Sequence, residues 1–153
     1  MMNEKDCVEK ECLLGQVSQQ IIIDSSIKKL WQRIEDFHDM SWASKVATSV
    51  IKEGDKSGFE VGAQRIVNDV FFETLLKYAP QDWTISYRVD KGPGPLKPSN
   101  IKNFIGTIKL LALEDKTQVN WTATFESEND EAVISFCNSM YQTLLKAMRE
   151  SFS

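Results

Sequence analysis

Residues 117–148 read TQVNWTATFESENDEAVISFCNSMYQTLLKAM and change from the pattern of a strand to that of a helix. Apolar and polar side chains first alternate, which is typical of a strand with one buried face. The apolar side of that strand carries Val119, Trp121, Ala123 and Phe125. Asn129 and Asp130 can then cap a helix, and the apolar residues that follow recur at spacings of three and four. These apolar residues are Val133, Phe136, Cys137, Met140, Tyr141, Leu144, Leu145 and Met148. The stretch predicts a strand and then a helix of roughly six turns, ending near residue 152.

The rest of the chain predicts further strands and an early amphipathic helix. A strand is expected at 16–24, and Asp24, Ser25 and Ser26 offer N-cap oxygens to the helix that follows. The apolar face of this helix is formed by Ile27, Leu30, Trp31, Ile34 and Phe37. A short second helix or turn is expected at 40–45. The period-two pattern then predicts six strands, at 46–53, 61–67, 70–79, 83–90, 101–113 and 117–127.

This order of elements predicts an α+β fold. Helices segregated from strands favour an antiparallel sheet, and the short turns between strands suit hairpins. Seven twisted strands tend to curl, and the last helix carries the long apolar stripe that can fill the concave side. We therefore predict a helix-grip fold, in which a seven-stranded curved antiparallel sheet wraps the C-terminal helix, with two short helices after the first strand. Residues 1–14 are expected to form a tail and residues 15–153 one domain.

Composition narrows the classes of partner and compartment. The formal net charge of −4 argues against a nucleic-acid-binding surface, because phosphate contacts need clustered Lys and Arg. The chain has no apolar run near the ~20 residues of a transmembrane helix, and no secretory signal follows its charged start, so we expect a cytoplasmic protein. Cys7, Cys12 and Cys137 form no even framework and are expected to be free thiols. No feature of the sequence predicts an oligomeric state.

Several segments together resemble a known family. They are 23–26 with 30–31, Trp42, 62–65, 72–76, 85–89, 103–108 and 117–121. In this order and spacing the chain resembles the START/SRPBCC superfamily, which includes the birch-pollen allergen, and within it the bacterial polyketide cyclase/dehydrase and lipid-transport branch. The resemblance covers residues 15–152. It implies a cavity between the sheet and the long helix that binds lipids, sterols, polyketides or other apolar molecules, and it implies no cofactor.

The cavity is expected to be lined by residues from both the sheet and the last helix. The predicted lining residues are Trp42, Glu73, Tyr87, Phe104, Ile108, Trp121, Ala123, Phe125, Met140 and Leu144. Tyr87 could bond a ligand through its hydroxyl, although simple core packing is an equal alternative.

Two of these residues, Glu73 and Tyr87, are the candidates for catalysis, but the family carries no universal catalytic motif. A buried Glu73 would have a raised pKa and could act as an acid, a base or a ligand anchor. The alternative is that Glu73 faces outward and pairs with a cation, for which Arg65 and Arg88 are the nearest candidates. Both faces of its strand carry apolar residues, so both readings stay open.

Other features carry less chemistry. His38 is the single histidine, lacks the partners of a catalytic triad and is expected to be an ordinary helix-end residue. One histidine and three scattered cysteines do not predict a metal site. Residues 91–100 contain three of the four prolines and are expected to form an exposed loop, either a lid or a rigid spacer.

The preferred functional prediction is binding of a small apolar ligand by a carrier or sensor. The first alternative is a cyclase or dehydratase acting on a polyketide-like substrate, with Glu73, Tyr87 and an arginine positioning enolates and protons. The second is a protein-interaction module whose interior is filled by its own side chains. Whether the protein is an enzyme is left open by the sequence.

Overall fold

The computed structural model describes residues 14–152, which form one curved antiparallel sheet and two α-helices. The strands are β1 (Gly15–Ile23), β2 (Val50–Glu53), β3 (Gln64–Val67), β4 (Phe71–Ala79), β5 (Thr84–Lys91), β6 (Ile101–Leu113) and β7 (Lys116–Ser127). The helices are α1 (Ile27–Ile34) and α2 (Asp130–Glu150). The strand order in the sheet is β1-β7-β6-β5-β4-β3-β2, so that only β1 and β7 meet across a long connection.

Helix α2 packs against the inner face of the sheet. It begins where the side chain of Asn129 accepts a hydrogen bond from the backbone N–H of Ala132 at 3.2 Å. Its buried side chains are Val133, Cys137, Tyr141, Leu144, Leu145 and Met148. The four predicted inward residues of β7 are each at most 2% exposed. The predicted α+β helix-grip fold is confirmed.

Helix α1 ends earlier than its apolar face suggested. Ser26 caps it through Lys29 N–H at 3.3 Å, and the helix ends at Ile34. The side chain of Asp36 accepts the N–H of His38, and Phe37 N–H donates to the carbonyl of Gly58 at 3.0 Å. These bonds replace helical ones, so the chain turns. Phe37 is still buried, but from a loop and not from the helix.

Strands β2 and β3 are shorter than predicted. The expected short helix is a single 3₁₀ turn, Ser41–Ala43, and the carbonyl of Ala43 accepts the N–H groups of Val46 and Ala47. Residues 46–49 are therefore not part of a ladder, although a strand was predicted from residue 46. Before β3, Gly62 adopts φ 96°, a conformation that interrupts an extended strand.

The proline-rich segment is held by one buried side chain. Most of residues 92–100 are exposed, as predicted, but Leu96 is only 1% exposed and packs into the core from the 3₁₀ turn Gly94–Leu96. Gly92 N–H donates to the Leu96 carbonyl at 3.2 Å. This anchoring favours a rigid spacer over a lid.

Part of the sequence-based prediction lies outside the described residues, namely residues 1–13 of the expected tail with Cys7 and Cys12. Cys137 is buried and forms no disulfide within the described part of the chain. No helix between residues 14 and 152 combines the length and the apolar character needed to cross a membrane.

Candidate ligand cavity

A cavity of about 70 Å³ lies between the inner face of the sheet and α2. Its walls come from the segment before β2, from strands β3, β4, β5 and β7, and from α2. The lining residues are Met40, Val46, Ala47, Arg65, Val67, Asn68, Phe71, Glu73, Tyr87, Trp121, Met140, Tyr141 and Leu144. Most of these side chains are apolar, and the polar ones are gathered on the sheet side. The volume has room for a few water molecules.

Arg65 and Glu73 form an ion pair at the polar wall. They stand opposite each other in the register of β3 and β4, and Arg65 Nε lies 2.8 Å from Glu73 Oε1. Each residue is 8% exposed. Arg65 also donates from Nη1 to the carbonyl of Phe37 at 2.8 Å, and its guanidinium lies 3.9 Å above the Phe37 ring. The Glu73 side chain therefore faces inward, as the first interpretation of the sequence proposed. It is also paired with a cation, as the alternative interpretation proposed.

Arg88, the second candidate partner of Glu73, does not reach the ion pair. Arg88 Nε contacts Asp90 Oδ1 at 2.5 Å, and the Arg88 side chain is 44% exposed. Arg88 thus points to the outer surface of the sheet, and Arg65 alone of the two partners proposed for Glu73 reaches it.

Two tyrosine hydroxyls lie next to the ion pair. The indole N–H of Trp121 donates to the hydroxyl oxygen of Tyr87 at 2.9 Å, and the hydroxyls of Tyr87 and Tyr141 are 3.5 Å apart. The rings of Trp121 and Tyr141 stack with centroids 4.9 Å apart. We call the hydroxyl groups of Tyr87 and Tyr141 the hydroxyl pair.

Burial keeps the hydroxyl pair protonated. Burial raises the pKa of Tyr87, and the negative charge of Glu73 raises it further. Burial likewise raises the pKa of Tyr141 well above its usual value. Both groups are therefore neutral hydrogen-bond donors at neutral pH and do not act as bases there.

Asn68, in the turn between β3 and β4, holds the segment 46–49 at one side of the cavity through side-chain hydrogen bonds. Asn68, at φ 54°, accepts hydrogen bonds on its side-chain oxygen from Thr48 N–H, Thr48 Oγ1–H and Ser49 N–H. Its side-chain amide donates to the carbonyl of Val46 at 2.9 Å. The four bonds hold residues 46–49, which include the cavity wall at Val46.

Half of the predicted lining residues border this cavity. Those that do are Glu73, Tyr87, Trp121, Met140 and Leu144. Those that are buried without bordering it are Trp42, Phe104, Ile108, Ala123 and Phe125. Phe104 and Phe125 stack on each other with centroids 5.8 Å apart, and so fill the core.

Trp42 lies beside the cavity. Its ring is 6.4 Å from that of Trp121, and its buried indole N–H has no hydrogen-bond partner among residues 14–152. It also borders a groove on the surface, and Val46 lines both that groove and the cavity.

Sequence reasoning missed several lining residues. Tyr141 had a signal, because it belongs to the apolar stripe of α2, whereas Asn68 lies between the predicted strands 61–67 and 70–79 and has no pattern that relates it to a cavity. His38 has no catalytic neighbour in the described chain. Its Nε2 lies 3.0 Å from the carbonyl oxygen of Gln64. A carbonyl can only accept, so this nitrogen carries the proton. His38 was expected at the end of a helix, but it lies in the loop that follows α1, which ends at Ile34.

Comparison with known proteins agrees with the fold. Residues 15–152 match the family model described as polyketide cyclase / dehydrase and lipid transport. A protein of Nitrosospira multiformis of known structure is 35% identical, with a TM-score of 0.87 over 90% of this chain and 96% of that one. The search of curated proteins gave no match.

Two more distant structures share the fold alone. Ara h 8.0201 is 14% identical, with a TM-score of 0.72 over 90% of this chain and 96% of that one. Norcoclaurine synthase from Thalictrum flavum, solved with dopamine and hydroxybenzaldehyde, is 10% identical, with a TM-score of 0.70 over 90% of this chain and 85% of that one. With its helix-grip architecture and a family match that spans both sheet and helix, the chain belongs to the polyketide cyclase / dehydrase and lipid transport family of the START/SRPBCC superfamily.

Proposed function

We propose that the protein binds a small apolar ligand, as a carrier or sensor, in the cavity between α2 and the sheet. The observation that carries this proposal is the cavity itself, whose walls are mostly apolar and whose polar wall holds only compensated or neutral groups. Burial of apolar ligand surface would drive binding by about 25 cal/mol per Å², before the costs of association.

The cavity volume limits the size of the ligand. Pockets for drug-sized ligands measure roughly 300–1,000 Å³, whereas this cavity measures about 70 Å³. An apolar cavity of about 150 Å³ holds benzene, so even a compound of one six-membered ring requires side chains of this lining to move apart. A lipid or a multi-ring polyketide would require more space, which displacement of Val46 could provide because this residue lines both the cavity and the groove at the surface.

The cyclase alternative has less support from these side chains. Proton abstraction needs an acceptor that is free and has a suitable pKa. Glu73 is already bonded to Arg65, and the raised pKa values of Tyr87 and Tyr141 keep both hydroxyls protonated. The described groups are suited to orienting a ligand.

A thermal-shift titration tests the proposal. Toluene, cyclohexane and methylenecyclohexane should each raise the melting temperature with dose, because a ligand that binds only the folded state stabilises it by about 2.7 kcal/mol at one hundred times Kd. Native mass spectrometry of freshly purified protein would in addition detect a ligand carried through purification.

A matched pair of variants locates the binding. Ala47→Leu fills the cavity, since Ala47 is the small residue of its lining, and should abolish the shift. Ala112→Leu makes the same change on the exposed face of β6 and should leave the shift intact. No shift with any compound, or an equal shift in Ala47→Leu, would refute the proposal and favour an interaction module with a filled interior.

A further inference from the structure

The hydroxyl pair has one more hydrogen than its surroundings can accept. Trp121 N–H, Tyr87 O–H and Tyr141 O–H are three donors, and their only mutual acceptors are the two hydroxyl oxygens. The indole N–H takes one acceptor position on Tyr87, and one hydroxyl can donate to the other. Whichever tyrosine donates, the hydrogen of the other hydroxyl has no acceptor among residues 14–152.

From this count we infer that the ligand presents a neutral hydrogen-bond acceptor, such as a ketone carbonyl, to the hydroxyl pair of Tyr87 and Tyr141. The inference rests on the proposed function and specifies the chemical class of the ligand. Both tyrosines border the cavity, so a bound molecule comes within reach of whichever hydrogen is left over.

Because one hydroxyl hydrogen is left without an acceptor, the affinity of a ligand depends on whether the ligand can accept a hydrogen bond. In the free protein a cavity water can accept it. A ligand that displaces this water without replacing its hydrogen bond leaves a buried donor unsatisfied and loses affinity. An acceptor on the ligand restores the bond.

The acceptor must be uncharged because the cavity already holds a balanced ion pair. Arg65 is bonded to Glu73 at 2.8 Å, so a ligand carboxylate would add a buried negative charge that no free cation of the lining offsets. The side-chain oxygen of Asn68 is also occupied, since it accepts three hydrogen bonds from Thr48 and Ser49.

Two near-isosteric compounds test the inference in the wild-type protein. Cyclohexanone carries a carbonyl where methylenecyclohexane carries a CH₂ group, and the two compounds are nearly equal in size and shape. Each dissociation constant is measured by calorimetry and multiplied by the compound's alkane/water partition coefficient, which removes the difference in hydrophobicity. After this correction cyclohexanone should bind about tenfold tighter, as expected for one hydrogen bond that only the ketone makes.

Infrared spectroscopy reads the hydrogen bond directly. The ¹³C-labelled carbonyl of bound cyclohexanone should vibrate at a lower frequency than in alkane. An alkane-like frequency, or equal corrected affinities for the two compounds, would overturn the inference while leaving the proposed function intact. Failure of both compounds to bind would refute the proposed function and this inference with it.

Further ligands and variants identify the donor. Cyclohexanol binding tenfold tighter than cyclohexanone, or cyclohexanecarboxylate binding tighter than either, would point to an acceptor or a cation as the partner and overturn the inference.

The double variant Tyr87→Phe/Tyr141→Phe should lose the corrected preference for the ketone about tenfold. Tyr78→Phe removes a hydroxyl that bonds Glu35 outside the cavity and serves as the control that keeps the preference. An unchanged preference in the double variant would also overturn the inference, and if that variant does not fold, the wild-type carbonyl frequency decides.

Discussion

The ring of Tyr87 on β5 lies directly over Gly106 on β6, where a β-carbon would come within 2.4 Å of the Tyr87 Cζ atom. The two residues are opposite each other in the register of the strands. Because Gly106 has no side chain, the ring can lie across the sheet, and its hydroxyl reaches Trp121 on β7. The glycine on β6 thus allows the Tyr87 hydroxyl on β5 to take its position in the hydroxyl pair.

Gly106→Ala should therefore displace Tyr87 and weaken its bond with Trp121. We expect a loss of about 1–3 kcal/mol in the free energy of unfolding, typical of overpacking, measured by urea denaturation. In a Tyr87→Val background the same change should cost clearly less, because the clashing ring atoms are gone. Equal costs in the two backgrounds would show that the close approach does not constrain the ring.

Breaking the ion pair from one side should be far more damaging than breaking the exposed pair. Glu73→Leu leaves the Arg65 charge buried without its partner, and we expect a loss of about 3–5 kcal/mol. Arg88→Met, which removes the exposed contact with Asp90, should cost about 0–1 kcal/mol. The double variant Arg65→Met/Glu73→Leu should recover much of the loss, and chemical denaturation measures all three. Similar losses for Glu73→Leu and Arg88→Met would contradict this assignment.

Alkaline pH should destabilise the protein. Burial raises the pKa of Cys137 from 9.0 to about 12, and burial with the nearby Glu35 raises the pKa of Tyr78 from 10.0 to about 12. The pKa values of Tyr87 and Tyr141 are raised in the same direction. The folded state holds these protons more tightly than the unfolded state. Their stabilisation is therefore complete below about pH 9 and is lost as the pH rises towards 12.

Denaturant titrations at a series of pH values check this dependence. The free energy of unfolding should fall with rising pH above about 9, and Cys137→Ala should reduce the fall in its first part, where Tyr78 contributes little. A free energy that stays constant or rises through this range would show that these groups titrate alike in both states.

The sequence was sufficient for the fold because β7 and α2 each bury one face and expose the other. Their apolar periods of two and of three to four residues therefore carry the burial pattern directly. The site depends on information that one strand does not contain. The orientation of Glu73 follows from its pairing with β3, which sets Arg65 opposite it, and both faces of β4 are apolar enough to hide this. The role of Asn68 depends on groups 19 to 22 positions earlier in the chain, which no local pattern relates to the turn.

Asn68 provides the last prediction, because its side chain holds the wall of the cavity through four hydrogen bonds. Asn68→Ala should remove these bonds and cost about 1–3 kcal/mol, since it leaves backbone groups of residues 46–49 unpaired. The amides of Thr48 and Ser49 should exchange faster with deuterium. Asp69→Ala is the matched control. Asp69 also has a positive φ, 63°, and its side chain makes no hydrogen bond to residues 14–152, so the variant removes no such bond. The control bears the same strain of alanine in a left-handed conformation, so only Asn68→Ala should loosen residues 46–49. Equal exchange at Thr48 in the two variants would mean that backbone strain, and not the lost side-chain bonds, governs this wall.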